Sequence, residues 1–291
     1  MHYLSVDQAQ TIRWLVRDCG QQAKQLAAEQ FQVFEKGKDD YVTSVDRLLD
    51  QRLSEAFRAM FPQDGLVTEE NSASRQVFHG SHRRLWCIDP IDGTDDFIHG
   101  RLYYSVMVGL LEGSQPTAGW IYAPTLDRLY YGGLGWGVFQ AGGDRLPEAI
   151  TPIEPPLSES NCPMLIGDKD RRQFGDAIQR AVPAAQFRTL GSFGLKVMEV
   201  VSGRAGLYLY LNRRVKLWDT VGPLALAQAA GLTCCDLDGQ PIGFTADCLD
   251  PETLAHHQTI LVGWPHYIEA LRSPIRQAVL SQSEESWSIA R

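Results

Sequence analysis

The chain has 291 residues, 44% of them hydrophobic and 21% charged, a composition suited to a soluble globular protein with a large core. Its formal net charge of −8, with no Lys/Arg run, argues against a nucleic-acid polymer or an anionic membrane as the main partner. The six cysteines form no CxxC pair and read as reduced thiols.

No apolar run approaches the ~20 residues of a transmembrane helix. The opening MHYLSVDQAQ has neither the basic start nor the apolar core of a signal peptide, so a cytoplasmic location is expected. From Ile12 the apolar positions Leu15, Val16, Cys19, Ala23, Leu26 and Ala27 mark one face of an amphipathic helix. A second helix follows DDYVTSVD, burying Leu49, Leu53, Phe57 and Met60, and FPQDG ends it. Apolar runs at 84–88, 104–111, 117–123, 128–133 and 137–143, separated by turn residues, predict a largely antiparallel sheet. Within them GGLGWG opens no helix and reads as hairpin turns rather than a nucleotide loop.

TPIEPPLSES at 151–160 divides the chain into a half of 1–150 and a half of 151–291. Beyond it strands alternate with helices near 170–182, 194–202 and 219–230 and from about 266, an α/β pattern. The polar end SQSEESWSIAR predicts a loose tail, and His256–His257 a surface pair.

DPIDGTDDF, residues 89–97, crowds four aspartates into one loop. Bare carboxylates at that density repel and raise one another's pKa, so the loop lies open to water or holds something positive. Asp89 and Asp92 leave the end of a strand, and Gly93 and Thr94 stand where a short helix begins. A helix start binds phosphate, and acids beside an anion need a cation between them; hard oxygen ligands point to Mg²⁺. An EF-hand fails, because proline fills its second position and Gly100 stands where its bidentate glutamate belongs.

Three further segments carry acids. VTEEN places Glu69 and Glu70 at a strand end. DDYVTSVD sets Asp46 three residues after Thr43, which is also a capping box. LWDTVGPLALAQAAG opens an apolar helix at Asp219, whose bland reading is an N-cap with Pro223 in the first turn.

Together DPIDGT, WD and TEE resemble the inositol monophosphatase family of metal-dependent, lithium-sensitive phosphomonoesterases, nearly end to end. The resemblance implies an α/β (α+β) layered αβαβα sugar-phosphatase fold, usually homodimeric, with two or three Mg²⁺ ions. It implies that Glu69, Asp89 and the carbonyl of Ile91 hold a first Mg²⁺. Asp89 then bridges to a second, completed by Asp92 and Asp219. Asp46 is an outer acid, and Thr94 with Glu69 orients and deprotonates the attacking water. Ile91, Asp92, Gly93, Thr94 and Asp219 meet the substrate, with Gly191 and Ser192 approaching its ring. Asp95 and Asp96 match no ligand position and read as acids at a helix start.

The second half departs from inositol recognition. Where the family places an acid before WD, this chain has Asn212, Arg213, Arg214 and Lys216. Those bases and GLK at 194–196 resemble the related 3'(2'),5'-bisphosphate nucleotidases, which act on a small metabolite with a second phosphate. The open readings are therefore an inositol or sugar phosphatase, a bisphosphate nucleotidase, and a catalytically silent phosphometabolite-binding protein.

Overall fold

The computed structural model describes residues 4–37, 40–143 and 145–289, with side chains as far as residue 282. The chain begins with helix α1 (Val6–Leu26), an exposed hairpin of β1 (Val33–Gly37) and β2 (Asp40–Thr43), and helix α2 (Ser44–Met60). Strand β3 (Gly65–Thr68), a 3₁₀ segment (Ser72–His79), β4 (Arg84–Asp92) and the short α3 (Thr94–Ile98) follow. β5 (Ser105–Glu112), β6 (Gln115–Ala123), β7 (Arg128–Gly133), β8 (Gly137–Ala141) and β9 (Glu148–Ala149) complete a seven-stranded sheet in the order 3-4-5-6-7-8-9. All its neighbours are antiparallel except β3 and β4.

After the irregular stretch at 150–161 come β10 (Cys162–Ile166), α4 (Asp168–Ala181), β11 (Ala185–Arg188), α5 (Phe193–Val201) and β12 (Leu207–Tyr210). Then follow α6 (Leu217–Ala229), β13 (Thr233–Cys235), β14 (Ile260–Gly263) and α7 (Pro265–Ile289). The second sheet has five strands in the order 11-10-12-14-13. The end of the chain differs from its reading as a loose tail. With no Gly or Pro after Pro274 to stop it, α7 continues to Ile289.

Both faces of the first sheet are buried, and the period-2 alternation of its strands shows how. On one face Trp86, Ile88, Val106, Val108, Leu110, Trp120 and Tyr122 pack against Ile12, Val16, Leu49, Leu53 and Phe57 of α1 and α2. On the other, Cys87, Met107, Leu111 and Ile121 meet α5, α6 and the second sheet. Each fully buried Leu, Ile, Val or Phe contributes about 1.5–3 kcal/mol, so this double interface dominates stability. Helices, sheet, helices, sheet, helices is the αβαβα layering.

The approach of α6 to the first sheet places half of the candidate site. A Cβ on Gly109 would lie 2.4 Å from the backbone N of Gly222, and one on Gly119 would lie 2.3 Å from its carbonyl oxygen. Three glycines let backbone touch backbone, which seats the N-terminal half of α6, with Asp219, over β5 and β6.

Candidate active site

β3 ends at Glu69 and Glu70 beside the end of β4, and the Glu69 N–H donates to Ile88 O at 3.1 Å. Register between β4 and β5 breaks between Asp89 and Asp92, where Pro90 has no N–H to give the ladder. Asp89 is 1% exposed, and its Oδ1 accepts the Ile91 N–H at 2.9 Å. Gly93 turns the chain at φ 92, a left-handed angle that a side chain resists, and α3 starts at Thr94. Thr94 Oγ1 lies 3.0 Å from the Ile91 carbonyl and 3.4 Å from Asp46 Oδ1. Asp46 is a helix-capping acid as well as a wall of the site: its Oδ2 accepts the Thr43 N–H at 2.9 Å while Thr43 caps α2.

Asp92 faces the second half. Its Oδ1 accepts the Phe193 N–H at 2.9 Å, and its Oδ2 accepts the Gly194 N–H at 2.9 Å together with the Ser192 hydroxyl. A carboxylate from one half thus caps a helix of the other. Ser192 is buried; its Oγ accepts the Leu195 N–H at 2.9 Å, and its own N–H donates to Tyr103 O at 2.9 Å. Gly191 is exposed and gives its N–H to Asp96. The structure therefore brings Gly191 and Ser192 to the site with these polar groups already bonded to protein.

Asp219 is not the N-cap of α6. The helix begins at Leu217 with Lys216 as cap, and Asp219 Oδ2 accepts the Lys216 N–H at 2.8 Å. Pro223 accordingly lies beyond the first turn. There it costs α6 the hydrogen bond that residue 223 would give the Asp219 carbonyl.

Electrostatics set the acids apart. Burial, then the charges of Glu69, Asp92 and Asp219, push Asp89 well above the ordinary carboxylate range. Burial, with Glu69 and Asp92, pushes Asp219 up to about 7. Burial pushes Asp46 up to about 6 against its bonds to Thr43. Burial followed by Glu69 takes Glu70 to about 7.

A cation from the exposed hairpin answers part of this repulsion. Lys36 Nζ, from the β1–β2 hairpin, lies 2.9 Å from Glu69 Oε1 and 3.0 Å from Glu70 Oε1. Burial disfavours its charge, but the two glutamates more than offset that. Among the described residues no three His, Cys, Asp or Glu side chains close on one point. The acids sense one another's charge without converging, and the Lys36 ammonium stands in as counter-charge. An oxygen-only set of Glu69, Asp89, Asp219 and the Ile91 carbonyl fits a hard divalent ion.

Reading the sequence alone missed Lys36 and the buried partners of Asp96 and Lys196; Asp96 does stand in the first turn of α3, as read. Asp96 is buried beside the 190–192 turn and pairs with Arg101 Nε at 3.0 Å, whereas Asp95 is exposed. His256 is buried rather than at the surface, because its segment pairs with residues 215–216. Its Nε2 lies 2.9 Å from Thr220 Oγ1, and burial lowers its pKa to about 3, so it is neutral. Arg213 and Arg214 are exposed on a turn in which the Arg214 N–H meets Asn212 Oδ1 at 3.1 Å. Lys216 Nζ lies 3.9 Å from Asp40 Oδ2.

Known proteins share this fold. The model of the inositol monophosphatase family matches residues 7–279. A fructose-1,6-bisphosphatase/inositol-1-monophosphatase of Aquifex aeolicus is 30% identical over 214 residues, covering 72% of this chain and 76% of that protein. A 3'(2'),5'-bisphosphate nucleotidase CysQ of Aggregatibacter actinomycetemcomitans is 31% identical over 204 residues, covering 70% and 74%. The structure of an IMPase/NADP phosphatase complexed with Mg²⁺ and phosphate superposes with a TM-score of 0.74 at 21% identity, covering 91% of this chain and 94% of that one. The chain belongs to the inositol monophosphatase family, whose members are phosphomonoester hydrolases.

Proposed function

We propose that the chain hydrolyses inositol monophosphate or a related small sugar phosphate with two or three Mg²⁺ ions. The observation that carries this reading is the mutual repulsion of Asp89, Glu69 and Asp219 around the start of α3, a cluster that calls for cations. Glu69, Asp89, Asp92 and Asp219 and the Ile91 carbonyl would hold the ions. Bound Mg²⁺ supplies a nucleophilic water near neutral pH and neutralises the leaving oxygen.

The chain's own groups do the rest. Thr94, anchored between Ile91 O and Asp46, orients the water with Glu69, which takes its proton. The backbone at Gly93 and Thr94 receives phosphate oxygens at the start of α3. Gly191 and Ser192 contribute surface rather than bonds, and the open flank of Asp219 meets the alcohol. Lithium inhibition and a homodimer belong to the same reading.

A second reading rests on the CysQ relative together with exposed Arg213 and Arg214: a 3'(2'),5'-bisphosphate nucleotidase. A phosphate-release screen separates the two. Inositol 1-phosphate, fructose 1,6-bisphosphate and 3'-phosphoadenosine 5'-phosphate are compared with Mg²⁺, with chelator and with Li⁺. Turnover of all three in excess chelator would overturn the Mg²⁺ reading.

A further inference from the structure

Lys196 stands in the first half of α5 and is 5% exposed. Its Nζ donates to two successive carbonyls, Leu190 O at 2.8 Å and Gly191 O at 3.1 Å, and lies 5.4 Å from the centre of the Tyr208 ring. The charges around it come from both halves: Asp92 and Asp96 from the β4–α3 segment, Asp168 and Asp170 from the start of α4.

The same short turn offers its N–H groups in the opposite direction, Gly191 to Asp96 and Ser192 to Tyr103 O. Carbonyls held from below and amides held from the front leave the turn one position. There is no slack at Gly191 either, since a Cβ there would lie 2.4 Å from Asp96 Cγ. A flexible ammonium with three donors suits two carbonyls that diverge, which a neutral side chain of equal length does not.

We propose that Lys196 is the positioning residue of the substrate-facing turn, holding Leu190, Gly191 and Ser192 against the Asp92–Asp96 segment so that the substrate wall keeps register with the metal loop. Lys196 touches no reacting atom; it acts through the turn. Its loss therefore loosens the substrate wall while leaving Glu69, Asp89, Asp219 and Thr94 in place.

The test joins kinetics, which rest on the phosphatase reading, to amide hydrogen exchange, which does not. In Lys196→Met, KM for the best ester rises roughly tenfold or more while kcat stays within about threefold. Exchange of peptides spanning 189–194 accelerates, and peptides of α7 are unchanged. In Lys196→Ala, n-propylammonium restores KM and n-propanol does not, which separates donated hydrogen bonds from filled volume.

Unchanged KM with unchanged exchange overturns the proposal, and so does equal rescue by the alcohol. If the wild type releases no phosphate from any ester, the phosphatase reading fails and the exchange measurement alone decides on Lys196. If the Met variant does not fold, Lys196→Gln carries both measurements. Its amide is shorter than the lysine and uncharged, so it does not reach both carbonyls, and a wild-type KM and exchange pattern there overturns the proposal.

Discussion

The acidic cluster Glu69, Asp89 and Asp219 and its neighbour Asp92 are held in opposite ways. Glu69, Asp89 and Asp219 lie within reach of one another's charge: burial and the neighbouring acids raise the pKa of Asp89 and Asp219, and Lys36 pairs with Glu69. Asp92 is satisfied on both oxygens by the start of α5 and by Ser192. Burial raises its pKa as well, but those bonds and Lys196 pull it back. The cluster is frustrated and therefore ready for a cation, while Asp92 is fixed in geometry, its Oδ1 accepting one hydrogen bond and keeping a lone pair for the ion it is proposed to share. A site that must load metal and also hold a substrate wall in place needs one of each.

The sharpest way to break this comparison is to neutralise a member of the cluster and, separately, Asp92. Asp89→Asn and Asp219→Asn should each lower kcat by about 10³-fold or more, because the amide keeps the shape and removes charge that the metals require. In chelator both variants should melt at or above the wild-type temperature, since a repelled buried charge has gone. Asp92→Ala should melt lower, having lost the α5 cap along with its buried partners. Wild-type rates in either Asn variant, or a chelated Asp89→Asn that is clearly less stable than wild type, would show that the acids are not frustrated.

Thr94→Ala should cost about 10²-fold in kcat with little change in KM, because its hydroxyl sits between the Ile91 carbonyl and Asp46 where the water must be oriented. An unchanged kcat would reduce Thr94 to a helix-start residue.

How much of this was legible in the sequence follows from distance along the chain. The frustrated group could be read because DPIDGT, TEE and WD advertise their chemistry locally, and the period-2 and helical patterns put them at element ends. The partners of Asp92 were dark, although DPIDGT shows Asp92 itself. The bonds of Asp92 reach across about a hundred positions to Ser192, Phe193 and Gly194. Lys36 meets Glu69 and Glu70 only because an exposed hairpin folds over them. The bland alternative for Asp219, an N-cap, fails because the cap of α6 is Lys216, three residues earlier. His256 was misread because adjacent histidines suggest a surface, and no local pattern shows that one faces Thr220.

Acid–base linkage sharpens the comparison further. Asp46 at about 6 and Glu70 and Asp219 at about 7 keep their protons in the metal-free fold, where the unfolded chain releases them near pH 4. The stability that comes from those protons is therefore complete below about pH 4 and is lost as the pH rises through about 6 to 7. Divalent ions supply the missing charge, so Mg²⁺ should raise the melting temperature more at pH 7.5 than at pH 5. The difference should be several degrees, at roughly 2–4 °C per kcal/mol for a chain of this size. A Mg²⁺ effect that is flat with pH would mean that the cluster does not titrate as a metal cradle.

The smallest effect belongs to the exposed bases before Trp218. A charge-assisted contact inside a pocket is worth roughly 1.5–3 kcal/mol, about ten- to a hundredfold in kcat/KM. An exposed pair contributes only about 0–1 kcal/mol and fades with salt. Arg213 and Arg214 are exposed, and the turn that carries them is braced by Asn212 rather than by any acid of the site. The double variant Arg213→Ala/Arg214→Ala should therefore lose roughly two- to fivefold on 3'-phosphoadenosine 5'-phosphate at low ionic strength, lose little at high salt, and leave inositol 1-phosphate unchanged. A selective loss of tenfold or more that survives salt would place an arginine on the second phosphate and make the nucleotidase the better reading. Equal, small responses of both substrates would leave the arginines as attractants at the mouth. Substrate choice would then lie with the wall that Lys196 and Asp96 hold in place.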